Sequence, residues 1–315
     1  MSRLHQELAA FRQSHAIRTH VVAAHVWDVI ESGAGAHTVV LLPGGGGSSE
    51  SQFPLIAALE SQMRVLSIGC PATLRTVRDA IDGLKTLLDE YDASACFLLG
   101  HSLGGIFAQA FAMKVPERVE GLILANVANY SPQRGRMVCA ILHSARHMPK
   151  SATVALLSAR VKRLLKGHPD RDFWLEYFTH DELQRVGNEG IANRGSCIGD
   201  SIAHWSESLD AEKYQGPTLL LESDNDTAFT IAERQAFRAS YPHAHVHTFR
   251  GAGHLSSITR HDEFVATVLE FVASTSLGRP SSFDPAQDDI TGVRIANAAQ
   301  DDTVFTVRSQ PQALR

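Results

Sequence analysis

The segment most indicative of the fold is Phe97-Leu98-Leu99-Gly100-His101-Ser102-Leu103-Gly104-Gly105. An apolar run ends at Gly100, Ser102 follows two residues later, and glycines return before a helical pattern begins. A serine between glycines on a strand-to-helix turn is typical of a nucleophile elbow, because the turn is too tight for larger side chains. The pattern predicts that the Ser102 hydroxyl faces a cleft, with the amide N–H of Leu103 beside it at a helix N-terminus. A glycine-rich loop whose serine has no catalytic role could have the same local sequence. The rest of the chain must therefore supply the other parts of a hydrolase site if Ser102 is a nucleophile.

The composition is that of an ordinary α/β protein. The chain has 315 residues, 44% of them hydrophobic, with 29 Lys and Arg against 34 Asp and Glu and a net charge of -5. This balance argues against a broad nucleic-acid-binding surface. No run of eighteen apolar residues predicts a membrane span, and the N-terminus does not resemble a secretory signal. The four cysteines show no C-x-x-C spacing, so we expect reduced thiols and a cytoplasmic location.

A glycine-rich loop after an earlier strand is the second feature of a hydrolase site. The β-branched, apolar run 38–42 predicts a buried parallel strand, and it leads directly into Pro43-Gly44-Gly45-Gly46-Gly47-Ser48-Ser49. A serine hydrolase needs a second oxyanion donor from a loop in this position, and we predict the backbone N–H of Gly45. A phosphate-binding loop is excluded because no lysine follows the glycines, and a dinucleotide fingerprint because no third glycine is correctly spaced.

The order of strands and helices predicts the fold class. Buried strands alternate with helices, which indicates an α/β protein with a doubly wound, mostly parallel sheet. The alternation stops after residue 130, and only helical patterns follow until another apolar strand near residue 217. We therefore predict a core of residues 1–130 and 213–275 with a helical lid, residues 131–212, inserted in it. Residues 276–315 are rich in Ser, Pro, Asp and Gln and are predicted to form a disordered tail.

A serine nucleophile needs a base and an orienting acid, and these follow in the chain order Ser, Asp, His in such a fold. Asp226 lies in an acidic turn after the strand at 217–221, and His254 lies in a Gly-Ala-Gly-His loop after the last strand. Ser102, Asp226 and His254 are therefore the predicted catalytic residues. Asp224 lies in the same turn and remains an alternative acid. Asn126 ends the strand before the lid, where some hydrolases place the acid, but its amide cannot serve in that role.

Two further groups of residues allow more than one interpretation. The lid carries several large aromatic residues, which could line a substrate pocket or form the lid's own core. The predicted substrate-binding residues are Phe173, Trp174, Tyr177 and Trp205. His243, His245 and His247 alternate along a strand, but no acidic or cysteine cluster accompanies them, so no metal site is predicted.

The motifs together resemble the α/β-hydrolase superfamily over roughly residues 17–275. More narrowly, the chain resembles the maspardin-like branch. The matching segments are Leu42-Pro43, the elbow from Gly100 to Gly105, Arg118 to Asn126, Met148-Pro149 and Tyr241-Pro242. Some relatives in that branch look like non-catalytic proteins with an asparagine in place of the base, whereas this chain keeps His254. Its Pro43-Gly44-Gly45 departs from the usual His-Gly opening of the oxyanion loop.

The predicted function is a serine hydrolase without a cofactor or a metal. It would act on a small-molecule acyl substrate, cleaving an ester, thioester, lactone or related carbonyl through an acyl-enzyme. Two alternatives stay open. One is a non-catalytic binding or scaffold protein with the same fold. The other is triad-based chemistry other than hydrolysis, such as perhydrolysis, C–C bond cleavage or a lyase reaction.

Overall fold

The computed structural model describes residues 2–45, 47–205 and 214–278, and within them eight strands form one sheet. The strands are β1 (Ile17–Val22), β2 (His25–Ser32), β3 (Thr38–Leu42), β4 (Arg64–Ile68), β5 (Cys96–His101), β6 (Val119–Ala125), β7 (Thr218–Ser223) and β8 (His245–Phe249). They lie in the order β1-β2-β4-β3-β5-β6-β7-β8. The β1–β2 and β2–β4 pairs are antiparallel, and every other pair is parallel. The predicted mostly parallel sheet is confirmed.

Helices follow most of the strands in the chain. They are α1 (Arg3–Ser14), α2 (Phe53–Leu59), α3 (Val77–Glu90), α4 (Leu103–Lys114), α5 (Pro132–Ser144), α6 (Lys150–Leu164), α7 (Arg171–Glu176), α8 (Leu183–Asp200), α9 (Ile231–Ala239), α10 (Ser256–Thr259) and α11 (His261–Ser276). Helices α5 to α8 lie between β6 and β7 in the chain. We call residues 131–205, which contain these four helices, the insert.

The sheet is covered by an apolar core on each face. Successive side chains of a strand point to opposite faces. Val40 and Leu42 of β3 therefore join one core with side chains of α3 and α4. Val39 and Leu41 join the other core, which contains side chains of α1, α2 and α11. Helices on both faces make the sheet doubly wound, and the carboxyl ends of its parallel strands share one edge, where open α/β sheets bind their ligands.

Helix α8 is kinked at one of its glycines. It runs to Asp200 with non-helical backbone at Gly187 (φ 64°, ψ 176°), and a π-type turn continues to Trp205. Gly190 and Gly195, by contrast, are contact points. A Cβ on Gly190 would lie 3.1 Å from the Cβ of Ala72, and one on Gly195 would lie 3.0 Å from the Cβ of Leu142. Close packing of α8 on the core and on α5 therefore outweighs the low helix propensity of glycine.

Parts of three predicted segments lie outside the described residues. These are Gly46 of the glycine loop, residues 206–213 at the end of the predicted lid, and residues 279–315 of the predicted tail. The last helix, α11, ends at Ser276, so the first residue of the predicted tail belongs to a helix.

Candidate active site

Ser102 lies on a sharp turn between β5 and α4. Its backbone has φ 51° and ψ -117°, a conformation that non-glycine residues rarely adopt. The neighbouring glycines explain how the chain makes this turn. A Cβ on Gly100 would lie 2.5 Å from the carbonyl oxygen of Gly104, and a Cβ on Gly104 would lie 2.2 Å from that of Leu42. The strained serine and the glycine contacts are the features of a nucleophile elbow.

The three residues predicted as catalytic form one chain of hydrogen bonds. Ser102 Oγ lies 3.0 Å from His254 Nε2, and His254 Nδ1 lies 2.9 Å from Asp226 Oδ2. With the proton on Nδ1, His254 donates to the carboxylate and its Nε2 accepts from the serine hydroxyl. Asp226 and His254 are buried, at 5% and 4% exposure. The serine hydroxyl is thus placed to lose its proton to an imidazole that a carboxylate holds in position.

Several donors keep the buried carboxylate of Asp226 ionised. Burial alone would raise its pKa, but hydrogen bonds from His254, from the backbone N–H of Ala228 and from the side chain of Asn126 outweigh burial, so that the pKa is lowered. Asn126 Nδ2 lies 3.2 Å from Asp226 Oδ2 and 3.1 Å from the carbonyl oxygen of Gly253. Asn126 therefore contacts both the predicted acid, Asp226, and the loop that carries the predicted base, His254.

The neighbouring acidic residue has a different environment. Asp224 is exposed, and its Oδ1 accepts a hydrogen bond of 2.8 Å from the backbone N–H of Gly251. Asn225 Oδ1 accepts one of 2.7 Å from Gly253 N–H. Both glycines have a φ of 67°, which favours glycine. Asp224 and Asn225 thus fix the loop that presents His254, while Asp226 contacts the imidazole.

His101, next to the serine, contacts the backbone of the base. Its Nε2 donates a hydrogen bond of 2.8 Å to the carbonyl oxygen of His254. Burial, with a smaller contribution from the nearby His254, lowers the pKa of His101 to about 4. His101 is therefore neutral at pH 7 and positions the loop of His254 without adding a charge.

The predicted oxyanion donors, the amides of Leu103 and Gly45, belong to two segments that lie against each other. Leu103 begins α4 immediately after Ser102, so its N–H is at the helix N-terminus. Gly45 faces Leu103, since a Cβ on it would lie 3.3 Å from Leu103 Cδ2. Gly44 lies nearer the nucleophile, because its Cβ would be 3.4 Å from the Cβ of Ser102. Both glycines line the cavity beside Ser102, so either loop amide could share the role given to Gly45.

A buried polar cluster joins the glycine loop to the insert, and no local sequence pattern predicts it. Ser48 Oγ donates to Glu182 Oε1, which also accepts a hydrogen bond of 3.0 Å from the hydroxyl of Tyr177. The same hydroxyl lies 3.3 Å from Glu50, and Arg12 of α1 forms two hydrogen bonds with the Glu50 carboxylate. Burial raises the pKa of Glu182. The Ser48–Glu182 contact spans 134 residues of sequence, a distance at which local patterns carry no information.

A cavity of about 390 Å³ lies beside Ser102 and His254. Much of its wall is aliphatic, and most of these aliphatic residues come from α5, α6 and α8 of the insert. Wall residues of this kind are Val138, Leu142, Leu157, Val161, Leu164, Leu183, Val186 and Ile198. Such a wall suits an apolar substrate group rather than a charged one.

One of the four aromatic residues predicted to bind substrate, Trp174, lines this cavity. Phe173 and Tyr177 lie instead in the core that contains α1 and α2, where Phe173 packs edge-on against Phe53 at a centroid distance of 6.1 Å. Trp205 joins the opposite core, and Lys114 Nζ lies 5.4 Å from its ring centroid. The prediction that these three residues bind substrate is therefore wrong in this structure: they do not line the cavity, and they pack in the cores that cover the sheet rather than in a separate core of the lid.

The histidines of β8 have local partners. His247 Nε2 lies 2.9 Å from Glu263 of α11. Across the described residues, no group of three or more His, Cys, Asp or Glu side chains could hold a metal ion. The four cysteines are buried and unbridged.

A mostly parallel, doubly wound sheet with a serine on a strained strand-to-helix turn defines the α/β-hydrolase class. Residues 39–267 match the model of the alpha/beta hydrolase family, and the chain belongs to that family.

Known proteins with similar sequences and structures are hydrolases of several kinds. A protein of Pantoea ananatis, named provisionally as a carbamate hydrolase, is 27% identical over 277 residues, which cover 82% of this chain and 97% of that one. A 2-hydroxy-6-oxononadienedioate/2-hydroxy-6-oxononatrienedioate hydrolase of Cupriavidus pinatubonensis is 25% identical, covering 78% and 89%. The crystal structure of the enol-lactonase from Burkholderia xenovorans superposes with a TM-score of 0.70 at 22% identity, covering 81% and 100%. The structural likeness shows the shared fold.

No helix within the described ranges has the length and apolar character needed to cross a membrane.

Proposed function

We propose that this protein is a serine hydrolase that cleaves an ester, thioester, lactone or related carbonyl substrate. Ser102 Oγ attacks the carbonyl carbon while His254 Nε2 takes the hydroxyl proton. The Leu103 and Gly45 amides hold the oxyanion. His254 then gives the proton to the leaving group as its bond to carbon breaks. Water repeats the attack on the acyl-enzyme, with His254 again as base, and releases the acid and free Ser102.

The observation that carries this proposal is the unbroken chain from Ser102 through His254 to Asp226, with contacts of 3.0 and 2.9 Å, opening on a cavity. The relatives add support of a coarser kind. Their names refer to a carbamate, a 2-hydroxy-6-oxo dicarboxylate and an enol-lactone, which differ in the bond that is cleaved. A carbonyl carbon as the point of attack is common to carbamates and lactones. We therefore propose acyl transfer to water as the reaction, without specifying the leaving group.

The insert is proposed to act as the lid of this site. It supplies most of the aliphatic wall, whereas the sheet and its loops supply the reacting groups. The narrower likeness to the maspardin-like branch remains part of the proposal and rests on the scattered motifs named above. Retention of His254 favours the catalytic members of such a branch over the non-catalytic ones.

Labelling of the nucleophile tests the proposal directly. A fluorophosphonate probe should label the protein at Ser102, and the Ser102→Ala variant should lose both the label and the hydrolysis of p-nitrophenyl butyrate. Ser240→Ala, at a serine that donates to Phe237 at the end of α9, is the matched control and should keep both. Full turnover by Ser102→Ala would end the proposal. A folded protein that takes no label and hydrolyses no ester would favour the scaffold alternative.

A further inference from the structure

One segment of the insert has a charge opposite to that of the chain as a whole. Residues 131–169 contain no Asp or Glu, although the chain has 34 acidic and 29 basic residues. The segment carries eight cationic side chains: Arg134, Arg136, Arg146, Lys150, Arg160, Lys162, Arg163 and Lys166. It holds α5 and α6, so the excess positive charge lies on two neighbouring helices of the insert.

Most of these cations are not neutralised by carboxylates. Arg134 pairs with Glu233, and Arg146 pairs with Glu189. The other six have no ion pair with any residue that the structure describes, and all six are exposed. Structural ion pairing therefore does not account for them.

Exposed apolar side chains lie among these cations. Met137 and Ile141, one turn apart on α5, are 54% and 60% exposed, and Leu156 of α6 is 60% exposed. Arg160 and Arg163 follow Leu156 at i+4 and i+7, so they lie on the same side of α6. Ile141, Leu156 and Arg160 also line the cavity that contains Ser102. The basic, apolar surface thus borders the cavity, and we call the exposed cations and exposed apolar side chains of residues 131–169 the basic face of the insert.

We propose that the basic face docks on an anionic lipid surface. Helices with cations around an exposed apolar stripe lie in the headgroup region, where the cations meet anionic lipids and the aliphatic groups enter the acyl boundary. A nucleic acid also attracts cations, but exposed Met, Ile and Leu have no part in contacts with phosphates. Docking on lipid does not depend on the proposed function. Where the proposed function also holds, the cavity takes its acyl substrate from the lipid phase, and this second consequence rests on that function.

The test is sedimentation of the full chain with vesicles. The Ser102→Ala protein is used so that no lipid is consumed. It should bind vesicles of phosphatidylcholine with 30% phosphatidylserine and not those of phosphatidylcholine alone. Binding should weaken about tenfold or more between 50 and 300 mM salt, because salt screens the attraction.

Two charge variants locate the surface. Arg136→Gln/Lys162→Gln/Arg163→Gln/Lys166→Gln removes four cations of the basic face that do not line the cavity, and it should bind about a hundredfold or more weakly. The control variant removes the same charge elsewhere, at exposed positions outside the insert: Arg75→Gln/Arg78→Gln/Lys85→Gln/Arg250→Gln. It should bind as tightly as the parent. In a background with Ser102 intact, both variants should hydrolyse p-nitrophenyl acetate normally, which shows that they fold.

The outcomes separate the possibilities. Equal loss in both charge variants, or equal binding to both kinds of vesicle, would overturn the proposal. So would binding to a duplex oligonucleotide without binding to anionic vesicles, which would favour a nucleic acid as the partner. Failure of the fluorophosphonate probe to label Ser102 would remove the proposed function but would leave the vesicle result standing.

Discussion

Two carboxylates lie two positions apart in the turn after β7, and their surroundings assign them different roles. Asp226 is buried against His254, whereas Asp224 is exposed and accepts from a loop amide. We expect Asp226→Asn to lower kcat by about 10⁴-fold, because the amide no longer holds the tautomer and charge of His254. Asp224→Asn keeps an acceptor for Gly251 and should lose less than about threefold. Steady-state kinetics on p-nitrophenyl butyrate measures both, and a larger loss in the Asp224 variant would reverse the assignment.

His101 should make stability depend on pH. Its pKa is about 4 in the folded protein and about 6.5 when unfolded. Between these values the unfolded chain takes up a proton that the folded protein does not, so the free energy of unfolding falls as the pH falls from about 6.5 to 4. The loss attributable to His101 is up to about 3 kcal/mol. His101→Gln cannot titrate and should show a flatter profile in urea denaturation across this range.

The matched control for that experiment is His180→Gln, at an exposed histidine of the insert. It should keep the slope of the parent. Equal slopes for the parent and His101→Gln would mean that His101 takes up its proton to the same extent in the folded and unfolded protein, so that folding does not lower its pKa.

At the scale of elements, local patterns predicted which loops the structure brings together at the candidate site. The elbow, the glycine loop, the Asp226 turn and the His254 loop each follow a strand, and parallel strands bring their carboxyl ends to one edge. The sequence therefore placed Ser102 and His254 near each other although 152 residues separate them. By the same reasoning, Asn126 is expected to contact Asp226, because Asn126 follows β6, Asp226 follows β7, and these two parallel strands are neighbours.

The packing of the insert was less predictable for a physical reason. Apolar periodicity shows that a helix has a buried face but not which partner buries it. Phe173 and Tyr177 fit a pocket wall and a core equally well by sequence, and the structure places them in the core. By sequence, Gly190 and Gly195 of α8 resemble helix breaks, but they lie against Ala72 and Leu142. Both outcomes depend on contacts between distant segments.

The link between the insert and the glycine loop should affect turnover. Glu182 accepts from Ser48 and Tyr177, and burial raises its pKa. We expect Glu182→Ala to lower kcat about tenfold, because the loop that carries the Gly45 amide loses an anchor, with a smaller effect on KM. Glu182→Gln keeps an acceptor oxygen and should stay near the parent. Steady-state kinetics on p-nitrophenyl acetate distinguishes the two variants, and equal losses would mean that the charge of Glu182 matters rather than its hydrogen bonds.

At the scale of the whole molecule, the reacting groups belong to the sheet and its loops, and most of the aliphatic wall of the cavity belongs to the insert. Acyl length should therefore change the rate mainly through the insert. Each methylene that leaves water stabilises the complex by about 0.8 kcal/mol, or about fourfold in kcat/KM. We expect kcat/KM for p-nitrophenyl esters to rise from acetate through butyrate to hexanoate and then level off as the cavity of about 390 Å³ fills.

A substitution in the wall tests whether the insert holds the acyl chain. Leu157 of α6 lines the cavity, and Leu157→Trp would fill part of it. The rise in kcat/KM should then stop at a shorter acyl group, with the loss greatest for hexanoate. Leu277→Trp, at a position that is 65% exposed after α11, adds the same ring outside the cavity and should leave the series unchanged. An equal drop in kcat/KM for every ester in the Leu157 variant would mean that the substitution disturbs the reacting groups instead. If kcat/KM of the parent falls from acetate onward, the acyl chain does not bind against the aliphatic wall.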